Sequence, residues 1–193
     1  MVKKEVLIFG IAILAIVAVA FLFFDNEQTE STQLIPGEVE DTPISNIFES
    51  DWTRTVLKNI NTQEEFRLSD FEGKPILLES FAVWCPTCTV QQTKIKELHE
   101  EIGDSFISIS FDTDPNEDEE RVKEHTERNG FDWIYVVSPP DFTRALIDEF
   151  GINFVNAPLA PVALICPDGT SKKLRNGVKS PSELKTEIES CNS

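Results

Sequence analysis

Hydrophobic and polar positions divide the chain into three stretches. Residues 6–24 form a run of 19 without one charge and without a polar face. A helix of that length spans about 28 Å, close to the hydrocarbon core of a bilayer, so the run reads as a transmembrane anchor. Residues 25–50 are rich in Glu, Thr, Ser, Asn and Pro with little apolar periodicity, the pattern of an acidic flexible tether. From Asp51 to the end at Ser193 the pattern is that of one globular domain. Residues 53–58 and 65–68 read as two short strands around a turn. Residues 75–81 are almost continuously apolar, broken by Glu79, as in a central strand. Residues 86–102 fit a helix with Val90, Ile95, Leu98 and Ile102 at apolar positions and Gly103 just past its end. A strand at 106–111, a helix at 116–129, a strand at 133–137 and a helix at 141–150 follow. Residues 162–166 and 171–175 make a hairpin about Pro167-Asp168-Gly169. Ser180, Pro181 and Glu183 form a capping box that starts the last helix. This alternation predicts an α/β domain with a mixed central sheet flanked by helices.

Charge orients the anchor. Lys3 and Lys4 precede it while Asp25 and Glu27 follow. The positive-inside rule thus makes residues 1–5 a cytoplasmic stub and places the C-terminal domain outside the cytoplasm, on a single-pass cell-membrane protein. A cleaved signal peptide is the rival reading, because Ala18-Val19-Ala20 resembles a cleavage site, although the apolar run continues through Phe24 and no cysteine offers a lipid anchor. Both readings put the domain where disulfides persist. The net charge is −17, and because residues 1–24 contribute +1, the exported part carries −18. Such a surface repels phosphate backbones, which argues against a nucleic-acid partner.

The candidate chemistry lies in Trp84-Cys85-Pro86-Thr87-Cys88, between the central strand and a helix start. A two-residue spacer lets paired thiols close a small ring with little backbone movement. Cys85 at the helix N-terminus has its thiolate favoured by free N–H groups and the macrodipole, so it is expected as the exposed nucleophile. Cys88, one turn inside, is expected as the buried resolving thiol. A zinc site would need Cys166 and Cys191 as its second half, and their spacing is unlike a zinc ribbon. No cofactor is predicted beyond a redox-active Cys85–Cys88 disulfide, and no metal.

The stretch SDFEGKPILLESFAVWCPTC resembles the active-site region of the thioredoxin superfamily, in particular its membrane-tethered TlpA/ResA-like branch. The resemblance extends over about residues 51–190. It implies a thioredoxin-like fold with an N-terminal β-hairpin and a helix–strand insertion, and an activity of thiol–disulfide exchange. It also implies partners: exported protein thiols or disulfides, and a membrane electron donor or acceptor, served by a monomeric soluble domain. The family carries a buried carboxylate six residues before the first cysteine, here Glu79, placed to shuttle a proton to the resolving thiol; exposure at a sheet edge or pairing with Lys74 are the structural alternatives. The family also has a cis-proline facing the dithiol, for which Pro161, preceded by Ala160, is the candidate and Pro158 the alternative. Extra residues before Pro161 imply an enlarged substrate-facing loop. Trp84, Pro86, Thr87, Ala160 and Pro161 are thereby candidates for substrate contact. In this fold the far ends of the last helix and of strand 162–166 are neighbours, which makes a Cys166–Cys191 structural disulfide the corresponding candidate.

Other signals point elsewhere. Asp112, Asp114, Asn116 and Asp118 imitate the start of an EF-hand loop, but Glu117 stands where glycine is needed and Lys123 where a bidentate Glu belongs. These acids read as caps and solvation for the helix at 116–129. His99 and His125 read as structural helix residues, solvated or half-buried. Two alternative functions are a Sco-like copper chaperone and a thiol peroxidase. The first lacks the family's C-x-x-x-C spacing and its distant His; the second lacks a hydroxyl three residues before the cysteine, where this chain has Ala82.

Overall fold

A five-stranded sheet with two buried faces organises residues 46–192, the part of the chain that this computed structural model describes. The expected stub, anchor and most of the tether lie outside the described residues. Among the described residues no helix is long and apolar enough to cross a membrane. A small antiparallel pair, β1 (Leu57–Lys58) and β2 (Glu65–Phe66), precedes the sheet. The sheet contains β3 (Ile76–Phe81), β4 (Ile107–Asp112), β5 (Ile134–Val137), β6 (Val162–Ile165) and β7 (Ser171–Lys173). Their order is β5-β4-β3-β6-β7; β3, β4 and β5 run parallel, while β6 and β7 are antiparallel to their neighbours. Four helices connect them: α1 (Pro86–Ile102), α2 (Glu119–Asn129), α3 (Pro140–Phe150) and α4 (Pro181–Glu189).

Strand β3 is buried along its whole length because both faces of the central strand are covered. Alternation sends Leu77, Glu79 and Phe81 to one face and Ile76, Leu78 and Ser80 to the other. The first face packs against residues of α1 and α4, including Cys88, Ile95, Leu98, Leu184 and Ile188. The second packs against α3 and the N-terminal segment through Ile47, Phe48, Phe142, Leu146 and Phe150. A carboxylate therefore sits inside the first of two mainly apolar layers.

The N-terminal segment differs from its sequence reading. Packing begins at least by Asn46, ahead of Asp51: Ile47 and Phe48 are 2% and 4% exposed. The Ile47 N–H donates to Gly169 O at 2.9 Å. Gly169 has φ +83 in the hairpin turn, and a Cβ there would run into the Asn46 side chain. Residues 53–58 are not one strand. Asp51–Arg54 form a 3-10 turn in which Thr53 Oγ1 donates to Ser50 O at 2.8 Å, bringing the Trp52 ring 5.5 Å from that of Phe142. The second predicted strand ends at Phe66, because the Arg67 N–H donates to the Asp70 carboxylate and begins a further 3-10 turn, Leu68–Phe71. Helix α2 starts at Glu119, because Asp118 accepts from the Arg121 N–H as N-cap.

A disulfide joins Cys166, just after β6, to Cys191, just after α4. Beside it Lys172 of β7 pairs with Glu187 of α4 at 2.6 Å.

Candidate active site

The dithiol segment leaves the C-terminal end of β3 and enters α1. Cys85 is the N-cap of α1, with extended backbone and Pro86 in the first turn, where the missing N–H costs nothing. Its Sγ accepts from the Cys88 N–H at 3.2 Å. Cys85 and Cys88 are joined in a disulfide with Cα atoms 5.3 Å apart. Contrary to the expectation of an exposed nucleophile, Cys85 is only 1% exposed in this oxidised form, and Cys88 is fully buried. The disulfide turns Cys85 towards its partner, within the cluster that contains Ala82 and Ala157. Trp84 stands out at 57% exposed.

Acidic residues hold this segment from the β4–α2 loop. Trp84 Nε1 donates to Asp114 Oδ2 at 2.6 Å, and the Val83 N–H donates to Glu117 Oε2 at 2.7 Å. Burial pushes the Asp112 carboxyl up to about 8, against the Asp114 N–H bonded to it, with Glu117 adding to the rise. Asp118 does cap a helix, but Asp114 and Glu117 brace the residues before Cys85. Sequence spacing gave no sign of that brace, because the partners are some thirty positions apart. Trp84, Thr113, Asp114, Asn156, Ala157 and Pro158 line a groove there.

The approach to β6 closes the other side. Ala157–Leu159 form a 3-10 turn, and Ala157 O lies 3.1 Å from Cys88 Sγ. The expected cis bond is absent: all described peptide bonds are trans. The chain reverses instead through Ala160, which adopts left-handed φ 44 and ψ 57, so Pro161 enters in the trans form. Pro161 O accepts from the Ser80 N–H at 3.3 Å, which ties the turn to β3. Pro158 belongs to the groove wall. Thr87 and Pro86 occupy the first turn of α1.

Glu79 is 1% exposed on the central strand, which removes the sheet-edge alternative. It stands opposite Ser110 in the β3–β4 register, and Ser110 Oγ donates to Glu79 Oε2 at 2.8 Å. Trp133 Nε1 donates in turn to Ser110 Oγ at 3.0 Å. Gln92, four residues after Cys88 and so on the same side of α1, also favours the ionised carboxyl. Glu79 Oε1, Gln92 Nε2 and the Tyr135 hydroxyl have no hydrogen-bond partner among the described residues. Burial dominates and pushes the carboxyl up to about 8; Ser110, Gln92 and the charge of Lys179, not Lys74, pull against it. His125, 1% exposed and not solvated, meets Gln92 Oε1 at 2.7 Å and is held down to about 4 by burial. His99 bonds Ser108 and stacks on Phe106, with ring centroids 4.3 Å apart. Lys179 is 2% exposed and donates to Ala160 O at 2.5 Å. Nothing in a polar loop ahead of a capping box marks that lysine for burial.

The geometry is that of a two-electron redox switch: a dithiol at a helix N-terminus, with a buried carboxyl on the strand that leads into it. It needs no resident group beyond the cysteine pair. Residues 46–188 match the Redoxin family. The chain is 23% identical over 183 residues to the thiol-disulfide oxidoreductase ResA of Geobacillus thermodenitrificans, covering 93% of this chain and 91% of that protein. Against ResA of Geobacillus kaustophilus it is 24% identical over 193 residues, covering 97% of both. Among solved structures it resembles a secreted Mycobacterium tuberculosis disulfide oxidoreductase homologous to E. coli DsbE. That match has a TM-score of 0.59 at 14% identity and covers 73% of this chain and 98% of that one.

Proposed function

The chain belongs to the Redoxin family, and from that premise we propose that it is a thiol–disulfide oxidoreductase in which Cys85 is the nucleophile and Cys88 the resolving thiol. The observation that carries this reading is the placement of the Cys85–Cys88 disulfide at the N-terminus of α1 with Glu79 buried on the same side of the sheet. In the reducing direction, the Cys85 thiolate attacks one sulfur of a substrate disulfide, and the other substrate sulfur leaves as a thiolate that takes a proton. Cys88 then loses its proton and attacks Cys85 Sγ. The second substrate sulfur is released and the Cys85–Cys88 bond forms, so two electrons pass from protein to substrate. In reverse, a donor dithiol opens the disulfide and Cys88 must be protonated. Glu79, half ionised near pH 8, suits both proton transfers.

Exposed Trp84 and the groove from Asp114 to Pro158 form the docking surface; the Ala160–Pro161 backbone, buried and with its carbonyls bonded to Lys179 and Ser80, is closed to substrate, contrary to its sequence reading. Substrates are exported protein thiols or disulfides. Residues 6–24 tether the domain to the cell membrane on its outer side through residues 25–45, and a membrane electron donor or acceptor resets the pair. This placement rests on the uncharged run and its flanking lysines.

A Cys88→Ser variant tests the reading, because it stalls exchange at the mixed disulfide. The expected result is covalent trapping of exported proteins at Cys85, released by dithiothreitol and lost on a further Cys85→Ser change. Absence of trapped protein, together with stoichiometric copper binding that Cys85→Ser abolishes, would overturn it in favour of metal delivery.

A further inference from the structure

Lys179 is a lysine that the fold has taken out of water. It lies between β7 and α4, immediately before the N-cap Ser180, and is 2% exposed. Four contacts fix it. Its N–H donates to Gln91 Oε1 at 2.7 Å, and its carbonyl lies 3.4 Å from Gln91 Nε2. Its ammonium donates to Ala160 O at 2.5 Å and stands 3.4 Å from Arg175 O. The same segment is laced to the turn ahead of β6, for Gly177 N–H donates to Leu159 O at 2.7 Å. Gln91 itself is fully buried on α1, one turn after Cys88. The lysine thus touches two elements that carry the dithiol site, α1 and the Ala160–Pro161 turn.

We infer that Lys179 is a positioning residue for thiol–disulfide exchange: held by Gln91 and Ala160, its ammonium sets the charge beside Glu79 and pins the turn that faces the dithiol. Its effect on exchange rests on the role proposed for Glu79; its control of the Glu79 carboxyl does not. Lys179 and Glu79 make no direct ion pair, but the Ala160 carbonyl that takes the ammonium lies two residues before Val162, the β6 partner of Glu79. Glu79 raises the affinity of Lys179 for its proton, and Lys179 favours the Glu79 carboxylate. Burial draws the lysine down to about 8, against that pull, while the Arg175 charge adds to the fall and Glu183 opposes it. Among the described residues the other groups acting on Glu79 are Ser110 from β4, Gln92 from α1 and the Tyr135 hydroxyl from β5. None of them carries a positive charge, so Lys179 supplies the cation in this set. A lysine whose only task was to satisfy Ala160 O would serve equally well as a neutral donor, and that difference is measurable.

The test uses the full chain with Lys179→Gln, which can still donate to a carbonyl, and Lys179→Met, which cannot. Retained near-ultraviolet circular dichroism establishes folding. The titration of the Glu79 carboxyl is followed by infrared difference spectroscopy, with Glu79→Gln assigning the band, alongside the pH profile of the resolving step. Both Lys179 variants should move the carboxyl titration upward by about one pH unit, and the kinetic inflection should move with it. Only Lys179→Met should speed exchange of the Ala160 amide. A carboxyl titration unmoved in a folded Lys179→Gln or Lys179→Met protein would overturn the inference. A moved titration with no kinetic inflection in the parent protein would leave Lys179 in control of Glu79 and remove Glu79 from the exchange mechanism.

Discussion

At the scale of single residues, the site is a balance between burial and compensation. Glu79 ordinarily titrates at 4.5 and is pushed to about 8, chiefly by burial. The folded protein therefore holds a proton that the unfolded chain releases above pH 4.5. The stability associated with that proton is complete below this pH and declines as pH rises to and through about 8. Glu79→Gln should leave stability near pH 4 almost unchanged and become progressively more stable than the parent towards pH 9, by up to about 5 kcal/mol. Urea unfolding across that range measures it. The same variant should slow the resolving step on the order of 10²-fold and flatten its pH dependence near 8, read by stopped-flow thiol exchange. Trp84 obeys a different rule. Being 57% exposed, Trp84→Ala should change stability by less than about 0.5 kcal/mol while raising KM for a protein substrate more than it lowers kcat. The cysteine pair and Glu79 were legible because they share one strand–helix unit. Gln91, Lys179 and the Asp114–Trp84 bond were not, since each depends on partners that only the folded chain brings together.

At the scale of elements, legibility followed local signals. Pro86 and Gly103 bracket α1, and the Ser180–Glu183 capping box starts α4, so both helices stand where the sequence places them. The segment from Asn46 to Lys58 was misread because its hydrophobic residues follow no period. Ile47, Phe48 and Trp52 are recruited singly by α3 and the sheet, and tertiary packing overrides strand propensity there. The Ala160 reversal was equally silent, because alanine gives no warning of a left-handed backbone. Between β6 and α4 the Cys166–Cys191 bond closes a loop of 25 residues. Replacing both cysteines by alanine should cost about 3.5 kcal/mol, visible as a lower denaturation midpoint, while the Cys85–Cys88 pair keeps its exchange activity.

At the scale of the whole molecule, the −17 charge sets the terms of encounter. With acids of the β4–α2 loop bracing Trp84 at the groove, association with a basic protein substrate should slow markedly between low and physiological salt, whereas a neutral one should show little change. Stopped-flow rates at several ionic strengths separate the two. On the proposed anchor at residues 6–24, the full chain should sediment with membranes and resist extraction by salt or carbonate. The peripheral disulfide also has a bearing on biogenesis. Synthesis runs from the N-terminus, so Cys85, Cys88 and Cys166 all emerge before Cys191 exists. During that interval Cys166 shares the chain with the other two cysteines but lacks its own partner. In the folded domain Cys166 follows Ile165, which pairs with Ile76 at the start of β3, whereas Cys85 lies beyond the other end of that strand, so the two pairs sit at opposite poles of the sheet. Position along the sheet thus keeps the two cysteine pairs apart once the domain has folded.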